Sequence, residues 1–143
     1  MESEVKHSVL IIDDSEADRF ILRRFLRKTG LSLSVIEVDN VDSAIEALVD
    51  FDKIKHKHPE TSAPITIFLD INMPGRNGWD FLEELTARMD EVQLKPAVVV
   101  MHSTSDAEQD RQRMKNYSAV EDFIVKGTYS ADDLRNTILK TSG

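Results

Sequence analysis

A chain of 143 residues with 41% hydrophobic side chains, in short clusters divided by polar turns, has the size of one globular domain, residues 1–143, with a core expected over about 7–141. No apolar run approaches the roughly 20 residues that cross a bilayer, MESEVKHS has no signal-peptide core, and a sequence without cysteine excludes disulfides and thiolate metal sites, which together suit the cytoplasm. The net charge of −8, from 26 acidic against 18 basic side chains, argues against a nucleic-acid partner.

Residues 8–13 (SVLIID) form a continuous apolar run ending in carboxylate, the pattern of a strand buried on both faces of a parallel sheet. Ser15 with Asp18 three residues later reads as a capping box opening a helix. Its apolar stripe is expected from Ala17, Ile21 and Phe25, widened by Phe20, Leu22 and Leu26, with Gly30 as C-cap. A strand over Leu33–Val38 and a helix over 42–51 follow, the helix burying Ala44, Ile45, Leu48 and Val49. Residues 52–64, rich in lysine and histidine with two prolines, read as a frayed helix end and loop. The basic clusters Arg19, Arg23, Arg24, Arg27, Lys28 and Lys53, Lys55, Lys57 read as solvated faces, the first with a second reading as a partner-docking surface.

The run Ile65–Asp70 (ITIFLD) is a third buried strand, and after the loop NMPGRNG a helix begins near Gly78 and buries Phe81, Leu82 and Leu85. Trp79 is expected as a surface or partner contact. Residues 97–101 (AVVVM) make the fourth strand, and Ser105 with Glu108 suggests a capping box for a polar helix to about Asn116. A fifth strand over Val120–Val125 precedes a last helix over 130–141 that buries Ala131, Leu134 and Ile138. Five strand–helix pairs imply an α/β, doubly wound parallel sheet with helices on both faces, because crossovers are right-handed.

In such sheets ligands bind beyond the carboxyl ends of the strands. Those ends here carry Asp13 and Asp14, Asp70, Ser103 and Lys126: three carboxylates, a hydroxyl and an ammonium. Carboxylates crowded together raise one another's pKa unless a cation joins them, and Mg²⁺ suits oxygen ligands while leaving room for phosphate oxygens. A carboxylate there can attack phosphorus, with the metal and Lys126 neutralising the transferring group. Of the four histidines, His7, His56, His58 and His102, no pair shows helical metal-ligand spacing with a partner carboxylate; His56 and His58 read as solvated loop residues and His102 as a packing residue at a strand end.

In IIDDSEADR (11–19), FLDINMPGRNGWDFL (68–82), VVVMHSTS (98–105) and DFIVKG (122–127) the chain resembles the receiver domains of two-component response regulators over nearly its whole length. The resemblance implies a flavodoxin-like (βα)₅ fold with strand order 2-1-3-4-5. It implies Asp70 as phosphoacceptor and Asp13, Asp14, Asp70 and the backbone carbonyl of Asn72 as the Mg²⁺ shell. Ser103 and Phe123 take the switch positions, Lys126 contacts the phosphoryl group, and Pro74 and Gly78 shape the loop after the acceptor. Three positions depart from the pattern: Gly127 stands where proline is usual, Phe123 where tyrosine is usual, and Thr104 where a small residue is common.

The function so implied is a phosphorelay switch rather than an enzyme, catalysing only its own phosphorylation and dephosphorylation. A histidine kinase or phosphotransfer protein, with the phytochrome-type kinases as one candidate class, would supply the phosphoryl group, and a partner protein would carry the output, the chain being a monomer or homodimer. A Mg²⁺-dependent aspartyl-phosphate phosphohydrolase is disfavoured because Asn72 replaces the expected second carboxylate. A flavodoxin-like cofactor carrier is disfavoured by the acidic loop after strand one. A degenerate, phosphorylation-independent receiver is kept in view by Gly127 and Phe123.

Overall fold

A computed structural model describes residues 7–57, 65–92, 97–104 and 107–142. Strands and helices alternate throughout: β1 (His7–Ile12), α1 (Glu16–Arg27), β2 (Leu33–Val38), α2 (Val41–Lys57), β3 (Ile65–Asp70), α3 (Gly78–Val92), β4 (Ala97–Ser103), α4 (Glu108–Met114), β5 (Val120–Val125) and α5 (Ala131–Ser142). All strand pairs are parallel, in the order β2-β1-β3-β4-β5, so the expected topology is present.

The two-residue period of a strand sorts the core into two layers. Leu10, Ile12, Ile67, Leu69, Val99 and Met101 face α2 and α3, where they meet Ala44, Leu48, Phe81, Leu82 and Leu85. Val9, Ile11, Phe68 and Val100 face the other way, onto Leu22 and Leu26 of α1 and Leu134 and Ile138 of α5. The central strands therefore need apolar residues at consecutive positions, which is why β1 and β3 read as unbroken runs. A register shift between Val99 and Val100 breaks the alternation of β5. It lets Val120 and Phe123, three residues apart, join the same layer.

Several local expectations need correction. The stripe of α1 is Leu22 and Leu26 with half-buried Phe25; Ala17 is exposed, and Phe20 and Ile21 are 47% and 44% exposed. Packing against α5 and the sheet selects that row, leaving Phe20 under the guanidinium groups of Arg23 and Arg24. Helix α2 continues to Lys57, so His56 is helical rather than in a loop; residues 58–64 lie outside the described residues, His58 among them. Strand β4 runs on through His102 to Ser103, and α4 spans only Glu108–Met114 with Ala107 as N-cap; Ser105 lies outside the described residues. The α1 C-cap is Lys28, and Gly30 follows two residues later at φ +77°. In α5, Ala131 is half-buried while Leu134 and Ile138 are fully buried.

Trp79 is the largest departure. It is 5% exposed, stacked on Tyr117 with centroids 6.0 Å apart, and Arg113 lies over its ring at 4.4 Å. It anchors α3 to the α4–β5 connection instead of facing a partner. No helix among the described residues is long and apolar enough to cross a membrane.

Candidate functional site

The carboxyl ends of β1, β3, β4 and β5 meet at one edge of the sheet, because parallel pairing aligns Ile12 with Leu69, Asp70 with His102 and Ser103 with Val125. Beyond β1, the Asp13 amide donates to the carbonyl of Val38 at 3.1 Å, and Arg19 Nη1 donates to the Asp13 carbonyl at 2.6 Å. Arg19 and Arg23 in turn pair with Glu37 on β2, so the loop's backbone is tied to both neighbouring elements. Asp13 is 1% exposed, Asp70 is also buried, and Asp14 reaches solvent.

One carboxylate oxygen from each of Asp13, Asp14 and Asp70 lies within 4.8 Å of the others. Lys126 reaches the same point from the end of β5. Its Nζ stands 2.7 Å from Asp13 Oδ2, 2.9 Å from Asp18 Oδ2 and 3.4 Å from Asp70 Oδ1. Burial alone would push this ammonium down, but hydrogen bonds to Asp13 and Asp18 and the charges of Asp13 and Asp70 outweigh it and hold Lys126 above its usual range. Burial raises the Asp70 carboxyl to about 7, with the charge of Asp13 adding to it and Lys126 opposing. The hydrogen bond to Lys126, against some burial, holds Asp18 below the usual carboxylate range.

Backbone contacts set the loops. The Lys126 amide donates to the Ser103 carbonyl at 2.7 Å, joining the ends of β4 and β5. Ser103 itself is fully buried, and Thr104 beyond it is exposed. Gly127 has φ +83°, and both the amide and the hydroxyl of Thr128 donate to the Val125 carbonyl, at 3.1 and 2.9 Å. A proline, fixed near φ −65°, cannot take that conformation, so the turn as it stands requires the glycine. After β3, the Gly78 amide donates to the Ile71 carbonyl at 2.9 Å, and Asn77 and Asp80 cap each other's amides. The Asn72 backbone hydrogen-bonds the Asp70 carboxylate, while its side chain and Pro74 are exposed.

Phe123 does not reach the carboxylates. It is buried against the α3–α4 side of the core, with Arg111 over its ring at 4.5 Å. His102 packs edge-on against Tyr129 and is held down to about 3 by burial first and by Lys126 second, which leaves it a neutral packing residue. Asp18 is the residue that sequence reasoning missed: its spacing from Ser15 was legible only as a helix cap.

A family model described as the response regulator receiver domain matches residues 9–139. The sensor histidine kinase CheAY of Helicobacter pylori is 32% identical over 134 residues, covering 94% of this chain and 15% of that protein. The two-component response regulator ARR3 of Arabidopsis thaliana is 32% identical over 133 residues, covering 92% of this chain and 54% of its own length. The chain thus spans about half or less of these curated relatives. Among solved structures, a two component response regulator from Cytophaga hutchinsonii superposes with a TM-score of 0.79 at 24% identity, over 97% of this chain and 98% of that one.

Proposed function

The chain belongs to the response regulator receiver domain family, and on that premise we propose that it is a phosphorelay switch whose acceptor is Asp70. The observation that carries this reading is the convergence of three carboxylates, Asp70 among them, at the end of the sheet, with Lys126 Nζ ion-paired to the two buried ones, Asp13 and Asp70. A carboxylate oxygen of Asp70 attacks the phosphorus of a phosphohistidine presented by a histidine kinase or phosphotransfer protein. The O–P bond forms as the P–N bond breaks, and the departing imidazole takes up a proton.

Hard oxygen donors, with neither thiolate nor imidazole in the cluster, fit Mg²⁺. Asp13, Asp14, Asp70 and the Asn72 carbonyl would hold it, and when bound it supplies charge neutralisation for the transferring group. Lys126 contributes a fixed positive charge on the other flank. Ser103, at the end of β4, hydrogen-bonds a phosphoryl oxygen once the group is attached. Because the Ser103 carbonyl holds the Lys126 amide, movement of one loop draws the other with it. Phe123, under Arg111 at the side of that loop pair, then changes position and alters the surface of α4, β5 and α5. We assign residues 1–143 to one receiver domain in the cytoplasm, acting on a partner protein and catalysing no reaction but its own phosphorylation and dephosphorylation. A phytochrome-type kinase is the donor class we favour.

Intact-mass measurement after incubation with acetyl phosphate tests this, with and without Mg²⁺, on the wild type and Asp70→Asn. A single Mg²⁺-dependent adduct absent from the variant is the expected result. No adduct from acetyl phosphate or from a phosphorylated kinase would replace this reading with a phosphorylation-independent binding module.

A further inference from the structure

Three helices of this chain begin with a capping residue followed three positions later by aspartate. In α3 the Asp80 carboxylate returns to the Asn77 amide at 2.8 Å, and in α5 the Asp133 carboxylate returns to the Ser130 amide at 2.9 Å. Both close the reciprocal bond of a capping box. In α1 only half of the box forms: Ser15 Oγ accepts the Asp18 amide at 3.2 Å, but the Ser15 amide donates to Asp13 Oδ1 at 2.9 Å. Asp13 has taken the donor that Asp18 would have used. The Asp18 carboxylate is thereby released from helix capping and turns to Lys126, 2.9 Å away and 108 residues distant in sequence.

We propose that Asp18 is a positioning residue for Lys126, the counter-ion reserved for its ammonium so that Asp13 and Asp70 stay available to a divalent cation and a phosphoryl group. The inference rests on the phosphorelay reading of the site. Asp13, Asp14 and Asp70 approach one another closely enough to share a cation, and Asp18 stands outside that group. Lys126 otherwise has only the two buried carboxylates Asp13 and Asp70 within reach among the described residues. Without Asp18 its charge would be satisfied wholly by them, in direct competition with the metal. Asp18 is itself only partly buried, its side chain 33% exposed, so it carries its charge at less desolvation cost than either of the two.

The test combines Asp18→Asn, Lys126→Met and the double variant in two measurements: calorimetric titration of the metal-free protein with Mg²⁺, and the rate of labelling by acetyl phosphate. Asp18→Asn keeps the amide that Ser15 caps, so its circular dichroism and urea midpoint serve as the folding control. The expected result is Mg²⁺ binding and labelling each weakened roughly 3- to 10-fold by Asp18→Asn in the wild-type background. In the Lys126→Met background the same substitution should change both by less than about twofold, because Asp18 acts through the lysine. Asp18→Glu should recover part of the loss. Unchanged Mg²⁺ affinity in Asp18→Asn, or an equal loss with Lys126 removed, overturns the proposal. If the wild type takes up no phosphoryl group, the phosphorelay reading fails while the Mg²⁺ titration still decides the role of Asp18.

Discussion

A carbon placed at the β-position of Gly78 would stand 2.7 Å from the carbonyl oxygen of Asp70 and 2.9 Å from the Cα of Ile71. The start of α3 therefore lies directly against the main chain that carries the proposed acceptor carboxylate, and only a residue without a side chain fits. Both obstructing atoms are backbone, so an alanine there must push the end of β3 or the helix aside. Gly78→Ala should cost about 1–3 kcal/mol in urea unfolding, as overpacking does, and slow acetyl-phosphate labelling. Gly75, at φ +73° with open space around its β-position, makes the control. Gly75→Ala should cost about 1–2 kcal/mol through backbone conformation alone and leave labelling intact. Equal labelling rates for the two variants would dissociate Gly78 from the site.

The pH dependence of the metal-free protein follows from Asp70. Burial first, and the charge of Asp13 second, raise its carboxyl from 3.8 to about 7. The folded state then binds this proton more tightly than the unfolded chain, so the associated stability is present below about pH 4 and lost as pH rises through 7. His102 works in the opposite sense over much of the same window, because burial keeps it neutral down to about 3. Comparing wild type with Asp70→Asn cancels the histidine, which both proteins share. At pH 8 without Mg²⁺ the variant should melt roughly 3–6 °C higher, and the difference should shrink towards pH 4. A variant less stable at pH 8, or an offset independent of pH, would contradict a strained Asp70 carboxylate.

Much of this arrangement was legible in the sequence. Strands β1 and β3 announce themselves because burial on both faces demands unbroken apolar runs, and Asp13, just past β1, and Asp70, the last residue of β3, mark the site edge. What the sequence concealed depends on distant partners. Trp79 is buried by Tyr117 and Arg113, more than thirty residues away, and nothing local signals that contact. Asp18 matched a helix cap in spacing, and its diversion to Lys126 required knowing where Asp13 sends its side chain. Phe20 and Ile21 have the spacing of core residues, yet packing against α5 and the sheet selects Leu22 and Leu26 instead.

Tyr129 lies between Phe25 and His102, with ring centroids 5.2 and 5.6 Å away and both contacts edge-on. This row joins α1, the segment after Lys126 and the end of β4. Burial, then the charge of Asp18, pushes the phenol up to about 12, so the hydroxyl stays neutral throughout the working range. The contacts are those of the ring. Tyr129→Phe should therefore change stability by less than about 0.5 kcal/mol, while Tyr129→Ala should cost about 1.5–2.5 kcal/mol for a half-buried ring. Urea denaturation of both variants checks this, and a large loss in Tyr129→Phe would assign the hydroxyl a bond the ring contacts do not explain.

Helix α4 is short and contributes no fully buried residue of its own. What holds it to the rest of the molecule includes two guanidinium groups laid over buried aromatic rings: Arg111 over Phe123 at 4.5 Å and Arg113 over Trp79 at 4.4 Å. Each such contact is worth about 0.5–2 kcal/mol, rising as the pair loses water. The two arginines are i and i+2, so they straddle the helix and pin it to different neighbours, one to β5 and one to α3. Loss of either should loosen α4 without unfolding the sheet. Arg111→Ala should lower the global melting temperature by only about 2–4 °C, yet speed amide hydrogen exchange selectively in 108–116 and around Phe123. Arg113→Ala should accelerate exchange in α4 while leaving Phe123 protected. Uniform acceleration across β1 and β3 in either variant would mean that these contacts support the whole fold rather than α4 alone.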